Sequence, residues 1–162
     1  LSQPVMVTLN VQPILPFDVW RQQNLPGGGG GAASEADADG DGWNNFLEYA
    51  LTSMPGNPLP APGIGPEFAF DTANGVPRFS VKMRRASDIA YSMESAMSLE
   101  SPVWQTLYES RGLNYTYTPP GSYVQFLSVT AVSQTVIVNP ITSLTAAPRL
   151  FYRLRAERIP LQ

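Results

Sequence analysis

From Glu67 to the end of the chain, apolar residues recur at every second position in eight short runs, separated by residues that turn chains. The runs are FAF, VPRFSVKM, DIAYSMES, VWQTLYES, NYTYT, SYVQFLSVTAV, QTVIVN and RLFYRLRAER. A period of two sends alternate side chains to opposite faces of a strand, so each run builds a sheet with one dry face and one wet face. Dry faces must be buried against each other, and short strands joined by short turns pair antiparallel. The expected fold is mostly β, an antiparallel sandwich of the immunoglobulin or fibronectin-III-like kind. In RFSVKMR, Phe79, Val81 and Met83 should face inward, with Arg78, Ser80, Lys82 and Arg84 outward. In LFYRLRAER, Leu150, Tyr152, Leu154 and Ala156 should face the core, with Arg153, Arg155 and Glu157 outside. These basic positions read better as a solvated face than as a docking stripe for an acidic partner.

Ahead of the sandwich (67–162) the chain divides into an N-terminal strand (1–14), a helix–loop–helix segment (15–56) and a Pro-rich linker (57–66). PVMVTLNVQ, residues 4 to 12, alternates Val5, Val7, Leu9 and Val11 with Thr8, Asn10 and Gln12, the pattern of a half-buried strand. Pro13 and Pro16 end it, and FDVWRQQNL follows as a short helix with Phe17, Trp20 and Leu25 on its apolar side. The five glycines at 27 to 31 predict a flexible excursion without regular structure. NNFLEYALT then predicts a two-turn helix that buries Phe46, Leu47, Ala50 and Leu51, and the proline-rich stretch after it stops that helix.

Between those helices lies DADGDGWNNFLE, residues 37 to 48, which crowds four carboxylates into a region with no Lys or Arg between Arg21 and Arg78. Like charges this close need a cation. Read as a calcium loop, Asp37, Asp39 and Asp41 occupy positions 1, 3 and 5, and Gly42 makes the sharp turn at position 6. Trp43 offers its backbone carbonyl at position 7, Asn45 its amide oxygen at position 9, and Glu48 a bidentate carboxylate at position 12. An all-oxygen set of about seven donors suits Ca2+, and the chain has no histidine or cysteine to recruit a softer metal. The site stands alone, with Asn44 at position 8 where paired loops carry an aliphatic residue, so its expected role is structural.

Only 14% of the 162 residues are charged, while 16 are proline and 13 glycine, a balance that suits an all-β extracellular module. A net charge of −3 argues against nucleic acid as a partner, and no apolar run is long enough to span a bilayer. The chain starts at Leu1, consistent with removal of a secretory leader. Without cysteine there are no disulfides, and a calcium clamp would do comparable stapling at millimolar extracellular calcium.

The order of these pieces resembles the C-terminal regions of many exported proteins of verrucomicrobial and related bacteria. The resemblance runs from about residue 17 to 159. It is carried by ADADGDGWNNFLEYAL, by the spacing YSMESAMSLESPVW and by the closing APRLFYRLRAER. It implies a β-sandwich behind a calcium loop, with Asp37, Asp39, Asp41, Asn45 and Glu48 as ligands. Here TSMPGNP follows EYAL, where that family usually carries a glycine and an Asp-Pro pair.

An enzyme is not expected: there is no His base and no Cys nucleophile, and the glycine run lacks the Lys-Ser/Thr ending of a P-loop. A carbohydrate-binding module would need exposed aromatics. Tyr115 and Tyr117 are the best platform, because Trp20 and Trp43 should dock the helices and Trp104 should lie in the core. The reading that accounts for most of the chain is a secreted, self-assembling structural protein whose first strand adds to the open sheet edge of another copy. The alternative is an accessory, polysaccharide-binding or sorting module of a larger exported protein.

Overall fold

A computed structural model describes residues 16–25, 27–58, 64–71, 76–113, 115–117, 122–140 and 150–160. The strand expected at 4 to 12 lies outside them, as do residues 59–63 of the linker. All eight expected runs of the sandwich form strands: β1 (Pro66–Asp71), β2 (Val76–Arg84), β3 (Ile89–Ala96), β4 (Gln105–Arg111), β5 (Tyr115–Tyr117), β6 (Ser122–Val129), β7 (Ser133–Pro140) and β8 (Phe151–Arg158). They make two four-stranded sheets, ordered β1-β2-β7-β6 and β5-β4-β3-β8, and every pairing is antiparallel. The period-two reading fixes which side chains meet between the sheets: Phe79, Val81 and Met83 of β2, Tyr91 and Met93 of β3, and Val136 and Val138 of β7 are all buried.

Two bulges break the alternation. In β4 the register passes from Met93↔Tyr108 to Glu94↔Thr106, so Leu107 is the extra residue, and both Leu107 and Tyr108 are buried. In β6 the register skips Leu127, and Phe126 and Leu127 are both exposed. Trp104 departs from expectation for a simpler reason. It stands just before β4, half-buried, with the Arg153 guanidinium 4.1 Å from its ring centroid, so it covers an outer face and not the core. Arg153 is also paired with Glu94, and Arg155 with Glu157, which leaves those arginines internally compensated.

Helices α1 (Pro16–Asn24) and α2 (Asn45–Leu51) join the core of the sandwich. Phe17 is at the centre, with ring centroids 5.3 Å from Tyr49, 5.5 Å from Phe46 and 5.8 Å from Trp20. The polar ends of both helices need partners once they leave water. Asp88, fully buried at the start of β3, supplies one: its Oδ2 accepts the Phe17 N–H at 2.8 Å and its Oδ1 accepts the Tyr49 hydroxyl at 3.0 Å. At the other end of α2, Arg84 Nε donates to the Tyr49 carbonyl at 2.6 Å and the Tyr91 hydroxyl lies 2.8 Å from the Ala50 carbonyl. Arg84 was expected to face outward. It is half-buried because α2 covers the end of β2, and its guanidinium lies over the Tyr49 ring.

α2 stops at Thr52, whose φ of 63° places a β-branched residue in the left-handed region. Its hydroxyl is buried with no hydrogen-bond partner. Glycine is the ordinary residue at this point of a helix end. Thr52→Gly is therefore expected to stabilise the fold by about 1 kcal/mol, read as a rise in thermal midpoint.

Candidate metal centre

The loop between Asp37 and Asn44 is shaped by its own carboxylates. Asp37 accepts backbone N–H groups from Gly40 at 2.7 Å and Gly42 at 2.9 Å, folding the chain back over itself. Asp39 accepts from the Asp41 N–H, and Asp41 from the Trp43 N–H at 2.7 Å. Gly40 and Gly42 have φ of 79° and 94°, which explains why both positions are glycine; the sequence reading had a role only for Gly42. The loop brings together carboxylate oxygens of Asp37, Asp39 and Asp41 within 4.8 Å of one another.

Asn44 and Asn45 divide their work. Asn44 caps α2, its Oδ1 accepting the Leu47 N–H at 2.8 Å, which is why position 8 carries no aliphatic residue. Asn45 turns its Nδ2 away from the loop, donating to the carbonyls of Gly31 at 2.9 Å and Ala33 at 2.7 Å. That fixes the amide orientation and leaves Oδ1 buried without a partner. The carbonyls that do this come from the glycine run, whose end forms a 3₁₀ turn over Gly30–Ala32 and buries Ala32. The expectation of an excursion without regular structure is therefore corrected for this part of the run. The Ser34 and Ala36 carbonyls accept the N–H groups of Phe46 and Asn45.

Glu48 lies one turn into α2 and is fully buried, with neither carboxylate oxygen hydrogen-bonded. Burial, and then the charges of Asp39, Asp41 and Asp37, push its pKa up to about 7. A buried carboxylate without a partner is costly, and so is a second oxygen left bare on each of Asp39 and Asp41. None of the ion pairs among the described residues reaches any of these four acids. The bare oxygens come from four of the side chains that the spacing selected: Asp39, Asp41, Asn45 and Glu48. Asp37 clusters with Asp39 and Asp41, the Glu48 carboxylate lies outside that 4.8 Å group, and the Trp43 carbonyl belongs to the same loop. Oxygen donors alone, several of them anionic, fit a hard divalent cation.

The Trp43 indole packs against the core and closes the loop over the end of the linker. A Cβ on Gly65 would lie 2.9 Å from the indole Cη2, and Gly65 has φ of 103°. The linker is thus tied to the loop at this one glycine, a contact that spacing could not reveal. No family model, curated protein or solved structure matches the chain.

Proposed function

We propose that this chain is a non-catalytic, calcium-stapled structural module of the cell exterior, which assembles with copies of itself through residues 4 to 12. The observations that carry the calcium part are the buried, unpartnered oxygens of Asp39, Asp41, Asn45 and Glu48, all within twelve consecutive residues, and the carboxylate cluster of Asp37, Asp39 and Asp41. With Asp37 and the Trp43 carbonyl they would hold one ion. Calcium is favoured over magnesium because six to eight flexible oxygen donors suit the larger cation. Bound there, the ion's two positive charges would offset part of the repulsion among four carboxylates and fasten α2 to the loop.

Strand order supports an immunoglobulin-type sandwich. Lettered in chain order, β1-β2-β7-β6 corresponds to A-B-E-D and β5-β4-β3-β8 to C″-C′-C-F of the variable type. The resemblance to exported verrucomicrobial proteins points the same way, to a module working outside the cell. A carbohydrate-binding, accessory or sorting role is the second reading; it is weakened at Trp104, where Arg153 already covers one ring face.

Calorimetric titration is expected to show one calcium ion per chain, with a dissociation constant of ~10⁻⁴ to 10⁻³ M. At tenfold excess over that constant the ion would stabilise the fold by about 1.4 kcal/mol, and the melting point should rise by about 3–6 °C. A melting point indifferent to both calcium and chelator would refute the site.

A further inference from the structure

We propose that the acceptor for the donated strand is the outer edge of β8, and that its occupant is residues 4 to 12 of a second copy. This rests on the self-assembly reading above and adds where the strand goes. β8 ends its sheet: it pairs with β3 without interruption from Ile89↔Arg158 to Ala96↔Phe151, and among the described residues nothing pairs with its other side. Eight residues of regular edge, with no bulge and no proline, offer a row of main-chain donors and acceptors.

The inward row along that edge is apolar and incompletely covered. Tyr152, Leu154 and Ala156 form the inward row of β8 and are only half-buried, whereas Tyr91 and Met93, registered with Ala156 and Leu154, are buried. Across the gap stands β1. Its Phe68 ring is 5.4 Å from the Tyr152 ring and is still 59% exposed. The Tyr152 hydroxyl is out of water and has no hydrogen-bond partner, a deficit that a strand laid along this edge can remedy with a backbone carbonyl. Residues 4 to 12 carry the matching pattern, with Val5, Val7, Leu9 and Val11 on one face and uncharged Thr8, Asn10 and Gln12 on the other. The other long edge, β6, also exposes Phe126, Leu127 and Val129, but its bulge at Leu127 interrupts the ladder, a device that blunts an edge.

Strand direction favours a second copy over the chain's own strand. The start of α1 is fastened at the Arg158 end of β8: Arg158 bonds Asp18 at 2.7 Å, and Asp88 holds both the Phe17 and Ile159 N–H groups. Residues 4 to 12 folding back onto their own β8 would run parallel to it, with only residues 13 to 15 as a junction. A strand from another copy is free to run antiparallel, which pairs somewhat more strongly per residue.

The absence of cysteine makes the test clean. One full-length batch carries Asn10→Cys; a second, enlarged by a tag, carries Arg155→Cys or, as a control, Ser128→Cys on β6. The two batches are refolded together with calcium and treated with a short thiol cross-linker. The expected result is a mixed-size product with Arg155→Cys in about tenfold excess over that with Ser128→Cys. A product favouring Ser128→Cys, or assembly with no cross-link at Arg155→Cys, overturns the β8 acceptor and leaves self-assembly standing. A chain carrying both Asn10→Cys and Arg155→Cys that cross-links only within itself overturns the second copy as occupant. Protein that sediments as a monomer at high concentration with calcium overturns the self-assembly reading itself.

Discussion

Replacing Asp88 with alanine is expected to cost the fold about 3–5 kcal/mol, from the loss of two hydrogen bonds to a buried charged acceptor. The Phe17 N–H and the Tyr49 hydroxyl both donate to this carboxylate, at 2.8 and 3.0 Å, and both residues are almost wholly buried. Alanine leaves the two donors out of water with no acceptor. The hydroxyl cannot escape by ionising, because burial, and then the Asp88 charge beside it, holds the Tyr49 pKa far above its ordinary value. Asp88→Asn keeps one acceptor oxygen but turns an amide N–H₂ toward the other donor, so it should lose roughly half as much. Urea unfolding would read the alanine variant as a midpoint lower by about 2 M for a slope near 2 kcal/mol per M. A shift no larger for alanine than for asparagine would show that the bridge contributes little.

Glu48→Gln is expected to stabilise the calcium-free protein and to abolish its response to calcium. With calcium, the variant loses the bidentate ligand and with it the ~1.4 kcal/mol that the ion supplies at tenfold excess. Without calcium, above pH 7, the same change removes a buried unpaired charge and should raise stability by about 1–3 kcal/mol. The pH dependence follows from the raised pKa. In calcium-free protein, folded Glu48 keeps its proton up to about 7, whereas the unfolded chain releases it near 4.5. Between those values the folded form binds more protons, so stability falls as pH rises through the window. Calcium reverses the trend, because it binds the ionised carboxylate and therefore binds more tightly as pH rises. Urea midpoints at pH 5 and 7.5, in chelator and in calcium, would separate these cases. An unchanged pH slope in the chelated variant would remove Glu48 from the account.

The sandwich was legible in the sequence because its strands are regular: alternation at Phe79–Met83 and Tyr91–Met93 names the inner face directly. Alternation stops naming the inner face where a bulge adds a residue, as at Leu107, because one inserted position reverses every side chain after it. The site was legible for a different reason. The donors proposed for it lie within twelve consecutive residues, so spacing alone is enough to nominate them. What lay beyond local pattern was everything contributed from a distance: the Gly31 and Ala33 carbonyls that turn Asn45, the glycine under Trp43, and Asp88, which lies 71 residues from the N–H it accepts. A lone aspartate between two turns carries no sign of which helix it will hold.

Asp88 also decides how the molecule would bear a pull. Its side chain holds the first turn of α1, and its carbonyl accepts the N–H of Ile159, just past the end of β8, at 2.8 Å. Tension entering at Pro16 and tension entering at Pro160 therefore meet at a single residue, reinforced by the Asp18–Arg158 pair. For a pull between those two points the line of force stays at one end of the protein. In an assembly joined through residues 4 to 12 and the β8 edge, load would enter each unit at α1 and leave through β8, and extension would begin by peeling α1 from Asp88.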